Sequence, residues 1–214
     1  MICDLGLTDY EYSYKVQKEF VTRRKLGEIE DSIIITEHTP VFTIGRIGNP
    51  ANLLVDENSL VAQGIKVMRV DRGGDITCHM PGQLVVYPVI DLKKRTKDLR
   101  RYLRDLEEVA ISFLARFGIL AVRIEGMTGV WVDGKKITSI GVGASDWVTY
   151  HGMSINIRND LHYFSMINPC GMPEAKATSI ETILSKTIDM NEAKLLLIRE
   201  FYRVFSLQHE RLAN

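Results

Sequence analysis

The sequence predicts an α+β domain, a mixed or antiparallel sheet with helices packed on it. Two observations carry this. Short runs of apolar alternation are joined by turn signals, above all Asp133-Gly134 between VWV and KKITSIGVG, a dipeptide favoured in two-residue hairpins. Helical periodicity, in contrast, comes in single isolated stretches, so hairpins dominate and helices stand alone. Long helices on one face of such a sheet leave the other face for a pocket. The periodicities do not set strand order.

Taken in order, Thr8-Asp9-Tyr10-Glu11 has capping-box spacing and opens a helix running towards Gly27. SIIIT and VFTIGR read as strands joined at His38-Thr39-Pro40, and a short irregular or helical piece precedes the strand IKVMRV. The clearest helix begins after Thr96. Leu99, Tyr102, Leu103, Leu106, Val109, Ala110, Phe113 and Phe117 recur at helical steps, and Gly118 closes the run. AVRIE, the Asp133-Gly134 hairpin and WVTYHGMSINI follow as strands. After a loop rich in Pro and Gly, Asp189-Met190-Asn191-Glu192 opens the last helix, with Leu195, Ile198, Tyr202 and Phe205 on one face. No repeat, low-complexity tract or linker interrupts the chain, so residues 1–214 read as one domain.

The composition, 45% hydrophobic and 25% charged, is that of a globular chain able to bury a sizeable core. Lys and Arg number 27, as do Asp and Glu, so the overall field gives no argument for nucleic acid or membrane surface as partner. The first residues, MICDLGLTDYEYSYK, lack a basic start before an apolar run and do not read as a signal peptide. No stretch has the length of uncharged apolar sequence that a spanning helix requires. Cys3, Cys78 and Cys170 are odd in number and unclustered. That argues against a disulfide framework and a zinc knuckle, and for a reducing, cytoplasmic setting. No metal site is expected.

RGGDITCHMPGQLVVYP, residues 72–88, places glycines, prolines, a histidine and an arginine between two strand-like runs, where an ordinary strand would avoid Gly and Pro. Gly73-Gly74 is too short for a dinucleotide fingerprint, and GxxxxGK[ST] is absent. Adjacent glycines do allow backbone to approach a ligand closely.

Cys170, in NPCGMPEAKATS, is flanked by turn-forming residues and should present its sulfur on a loop. Local sequence is compatible with a nucleophile and with a chance loop thiol. A reactive thiol needs a cation or helix N-terminus to favour its thiolate; His79, His151, His162 and Lys135-Lys136 are candidates. Strand alternation sends one of the two lysines inward and leaves open which.

Five segments in order resemble the lipoyl(octanoyl) transferase family of protein lipoylation: EHTPVFTIGR at 37–46, RGGDITCHMPGQLVVYP at 72–88, GVWVDGKKITSIGV at 129–142, WVTYHGMSINI at 147–157 and NPCGMPEAKATSI at 168–180. The resemblance implies the fold of biotin and lipoate ligases, related to the catalytic domain of class II aminoacyl-tRNA synthetases. It implies octanoyl (or lipoyl) transfer from octanoyl-acyl carrier protein to a lysine of the lipoyl domains of 2-oxoacid dehydrogenases or of the glycine-cleavage H protein. The chemistry would need neither ATP nor a cofactor. Catalytic roles carry over to Cys170, which becomes acylated, and Lys136, which lowers its pKa. The substrate pocket carries over to Arg72, Gly73, Gly74, Asp75, Ile76, Thr77, Cys78 and His79, to Ser139, Ile140 and Gly141, and to Gly152, Met153 and Ser154.

Two departures stand out. The family usually has glycine where this chain has Met80, and an aromatic is common at Cys78. Both are expected to reshape the pocket and its chain-length preference. An ATP-dependent lipoate-protein ligase of the same fold is the alternative, and a non-catalytic module retaining the fold is a third. The basic run KKRTKDLRRYLR, residues 93–104, holds seven Lys or Arg and one Asp. It is expected to dock an acidic donor. No stripe suggests an obligate oligomer, so a monomer is expected.

Overall fold

The computed structural model describes residues 1–168 and 176–207. Its strands are β1 (Ile2–Thr8), β2 (Ser32–His38), β3 (Val41–Ile44), β4 (Lys66–Arg69), β5 (Ile76–His79), β6 (Gln83–Val89), β7 (Val122–Ile124), β8 (Met127–Val132), β9 (Lys135–Ser145) and β10 (Val148–Asn156). Its α-helices are α1 (Tyr10–Lys25), α2 (Glu57–Ala62), α3 (Leu99–Ala115), α4 (Ile180–Leu184) and α5 (Met190–Phe205). The strands form a seven-stranded sheet ordered β1-β2-β6-β10-β9-β8-β7 and a three-stranded sheet ordered β4-β3-β5. Only the β1–β2 and β3–β4 pairs are parallel, so both sheets are mixed, as expected.

The strongest sequence patterns form the expected elements. Asp133 and Gly134 both have positive φ, 48° and 72°, the combination a two-residue primed turn needs. Asp98 caps α3 by accepting from the amides of Arg100 and Arg101. The apolar face of α3 then buries Tyr102, Leu106, Val109, Ala110 and Phe113. Together with Leu197 and Phe201 of α5, these residues cover one face of the large sheet, against Leu84, Val86, Met153 and Ile155. The other face is covered at one end by α1, where Phe20 and Val21 meet Val85, Tyr87 and Tyr150.

Four details differ from expectation. Residues 2–8 form a strand, and the cap of α1 is Asp9 rather than Thr8: its carboxylate accepts from Glu11 N. β2 and β3 lie in different sheets, so Thr39-Pro40 is a crossover between layers. The buried side of α5 runs through Met190, Ala193, Leu197 and Phe201, while Leu195 is exposed. Cys78 and Met80 belong to a separate cluster with Phe42, Ile44 and Leu60 behind the small sheet. Among the described residues, no helix is long and apolar enough to cross a membrane.

Candidate active site

The cleft lies on the face of the large sheet that α1 leaves uncovered, roofed by the three-stranded sheet and the segment after it. Residues 72–74 thread between β3 and β9. Gly73 N donates to Val142 O at 2.8 Å. A Cβ on Gly45 would come within 2.2 Å of Gly74 O, and one on Gly141 within 2.8 Å of Gly73 O. Gly74 itself has φ +83°, a region that L side chains rarely adopt. The glycines are therefore a packing requirement: main chain fills the space where side chains would collide. Arg72 is buried, and its guanidinium clamps the crossing by donating to Thr43 O at 2.6 Å and Gly73 O at 3.0 Å.

The cleft brings together Arg72, Gly74, Asp75, Ile76, Thr77, His79, Lys136, Ser139, Ile140, Gly141, Gly152, Met153 and Ser154. Gly73 lines an adjoining groove. Cys78 does not reach the cleft. Alternation along β5 turns Thr77 and His79 towards it and Cys78 into the second cluster. Met80 is likewise buried behind the small sheet, where Asn159 Nδ2 donates to its sulfur at 3.3 Å. Neither Cys78 nor Met80, both expected to shape the pocket, lines the cleft.

Lys136 is buried while Lys135 is exposed, which resolves the choice left open by alternation. The Lys136 ammonium lies 5.2 Å from the centre of the Trp131 ring, a cation–π distance. Its main chain is tied to residues 176–178: Lys136 N donates to Lys176 O at 2.8 Å, and Thr178 N donates to Lys136 O at 2.9 Å. Cys170 lies outside the described residues. On the near side of its segment, Asn168 N donates to Asn52 O at 2.8 Å, and Asn52 Nδ2 donates to the cleft residue Asp75.

At its other end the cleft is closed by a polar cluster that the sequence reading did not assemble: Tyr10, Tyr87 and His151 line it beside His79, with Val85 as an apolar neighbour. Its polar atoms bond to one another and to neighbouring residues. His38 Nδ1 donates to Thr8 O at 3.1 Å, so Nε2 accepts from Tyr87 OH at 2.7 Å. His79 Nδ1 donates to Gln83 Oε1 at 2.7 Å. His151 Nε2 donates to Asp71 at 2.8 Å, leaving Nδ1 to accept from Tyr10 OH at 3.3 Å. The Tyr10 ring stacks on His79, centroids 5.9 Å apart.

Burial lowers all three imidazoles, His38 and His151 to about 4 and His79 to about 3, so they are neutral at pH 7. Partial burial would raise the Asp71 carboxyl, but hydrogen bonds from His151, Lys18 and Tyr150 outweigh it and hold the group well below the usual range. His151 has φ +54° within β10, an uncommon backbone state for a side chain of its size. Beside it, a Cβ on Gly152 would meet Val86 O at 2.2 Å. His162, the remaining histidine candidate, lies on the 3₁₀ turn Leu161–Met166 and does not line the cleft.

The two ends are connected. Gln83 Nε2 donates to Asn156 Oδ1 at 2.9 Å, and Asn156 Nδ2 donates to Thr178 O at 2.9 Å. A hydrogen-bond chain thus runs from His79 to the strip that holds Lys136. Among the described residues no cluster of three His, Cys, Asp or Glu side chains could hold a metal ion.

Two mixed sheets with helices packed on them in this way are the fold of the lipoate and biotin protein ligases. A bi-partite lipoate protein ligase from Thermoplasma acidophilum superposes with a TM-score of 0.75 at 15% identity, covering 98% of this chain and 85% of that one. The biotin protein ligase of Aquifex aeolicus gives 0.58 at 14%, covering 96% and 70%. At those identities the likeness is one of fold.

Sequence narrows it further. Residues 9–202 match the lipoyl protein ligase A/B catalytic domain. An octanoyltransferase from Maridesulfovibrio salexigens is 43% identical over 95% of both chains. One from Geobacter metallireducens is 44% identical over 91% of this chain and 88% of its own. The chain belongs to the lipoyl protein ligase A/B family and, within it, to the octanoyltransferases, which are acyltransferase enzymes.

Proposed function

We propose that the protein transfers octanoyl from the thioester of octanoyl-acyl carrier protein to a lysine of lipoyl domains, of 2-oxoacid dehydrogenases or the glycine-cleavage H protein, through an acyl thioester on Cys170. The observation that carries this reading is the position of Lys136. It is a buried lysine at the cleft, hydrogen-bonded through its main chain to Lys176 and Thr178, just beyond the segment that bears Cys170.

The steps balance without ATP. The Cys170 thiolate attacks the octanoyl carbonyl, the carbon–sulfur bond to the carrier breaks, and the carrier leaves as a thiol after taking a proton from the Lys136 ammonium. The acceptor amine then attacks the acyl-cysteine, its proton passes to a base, and the Cys170 thiolate is released. Lys136 serves both steps: as an ammonium it favours the thiolate, and as an amine it takes the acceptor's proton. The acyl chain lies in the cleft, where each buried methylene contributes about 0.8 kcal/mol.

Incubation of octanoyl-acyl carrier protein with an apo lipoyl domain, with and without ATP, tests the reading. Equal modification of the domain in both is expected. Modification only from free octanoate or lipoate with ATP would instead make the chain a ligase.

A further inference from the structure

The described residues include a second groove that meets the cleft at Lys136. The two share Gly74, Asp75, Lys136, Ile140 and Gly141, and the groove continues outward past Leu103, Met127 and Trp131 to Ile47. At its mouth Ile47 is 80% exposed and Met127 38% exposed, apolar side chains left at the surface beside a basic helix.

The reacting carbon of a thioester is trigonal planar, with the acyl chain on one arm and the sulfur with its substituent on another. When the acyl chain occupies the closed cleft with its carbonyl near Lys136, the sulfur-side substituent must leave by a second route. We propose that this groove is that route: it binds the thiol-terminated arm of the donor and seats the acidic carrier on its rim. The inference rests on the octanoyl-transfer reading above.

Charge selects this occupant. Arg100 lies one helical turn before Leu103 on α3, so it borders the groove, and Arg46 adjoins Ile47. Both are exposed, and neither has an ion-pair partner among the described residues. The rest of the basic run is largely engaged: Lys93 with Asp146, Arg95 with Asp31, Arg101 with Asp105 and Arg104 with Glu107. The docking surface is therefore narrower than the run in the sequence and extends to a different segment. The acid that lines the groove, Asp75, accepts from Asn52 Nδ2. Two arginines and an apolar trough suit an anionic protein carrying a slender arm.

The test compares two donors, octanoyl-acyl carrier protein and the octanoyl thioester of mercaptoethanol, which has no arm. Arg46→Glu/Arg100→Glu and Ile47→Asp/Met127→Asp are each expected to raise KM for the carrier donor at least tenfold. Turnover of the small thioester and KM for the lipoyl domain should stay within twofold of the unmodified protein. Unchanged carrier KM, parallel loss with both donors, or a rise confined to the lipoyl-domain KM would overturn the proposal. An unmodified protein inactive with both thioesters would instead remove the octanoyl-transfer reading on which it rests.

Discussion

Lys136 and Thr178 are joined main chain to main chain, Thr178 N donating to Lys136 O at 2.9 Å, while Thr178 O accepts from Asn156 Nδ2 at 2.9 Å. The lysine is thereby held at a fixed place against Lys176 and Thr178, which follow the Cys170 segment in the sequence. Its exposed neighbour Lys135 faces solvent.

The thiol's ionisation follows from that placement. Alkylation of Cys170 should proceed with a midpoint below the ordinary value of about 8.5. Lys136→Met should move the midpoint upward, whereas Lys135→Met should not. Rate against pH for the two variants checks this, and equal midpoints would remove Lys136 from its role.

Chain length should be governed by the ring cluster at the far end. From Lys136 to Gly141 is roughly 16 Å along β9, and Tyr87 lies roughly 10 Å away across β10 and β6. The stacked Tyr10 and His79 rings close this end. Tyr10→Ala should shift the acyl preference towards longer chains, and Tyr10→Phe should keep it. Met80→Ala should destabilise the protein by roughly 2–5 kcal/mol without changing the profile. A competition assay across acyl lengths, with thermal unfolding alongside, reads both. A Tyr10→Ala profile identical to that of the unmodified protein would contradict the assignment of the floor.

Acid stability follows from the buried imidazoles. The unfolded chain binds a proton at each histidine near pH 6.5, whereas folded His38, His79 and His151 do so near 4, 3 and 4. Between those values the unfolded state holds more protons, so stability is present above about pH 6.5 and is lost as pH falls. Each histidine contributes on the order of 3 kcal/mol to that loss. The urea midpoint should drop steeply from pH 7 to 5, and His38→Gln should make the drop shallower. A flat midpoint would mean that the imidazoles are solvated.

Much of the fold was legible where local and tertiary signals agree. The α3 periodicity and the Asp133-Gly134 turn needed no long-range information. β1 was missed because ICDLGLT carries Gly6 at φ +62° and an irregular register against β2. The division into two sheets was illegible because Thr39-Pro40 is as short as a hairpin turn. At the site, Lys136 and residues 72–79 came from their resemblance to a family, while Tyr10 and Tyr87 escaped notice and His151 was weighed only as a partner for the thiol. They converge from three separate elements, and the positive φ that sets His151 has no local sequence signal. Strand alternation along ITCH could have turned Cys78 away from the cleft.

The covalent step is the centre of the account, and intact mass reads it most directly. Mixed with octanoyl-acyl carrier protein and no acceptor, the protein should gain the mass of one octanoyl group, with or without ATP. Neutral hydroxylamine should remove it. Cys3→Ser and Cys78→Ser should still form the adduct, and Cys170→Ala should not. Normal octanoyl transfer by Cys170→Ala, or an adduct that survives in it, would contradict the mechanism.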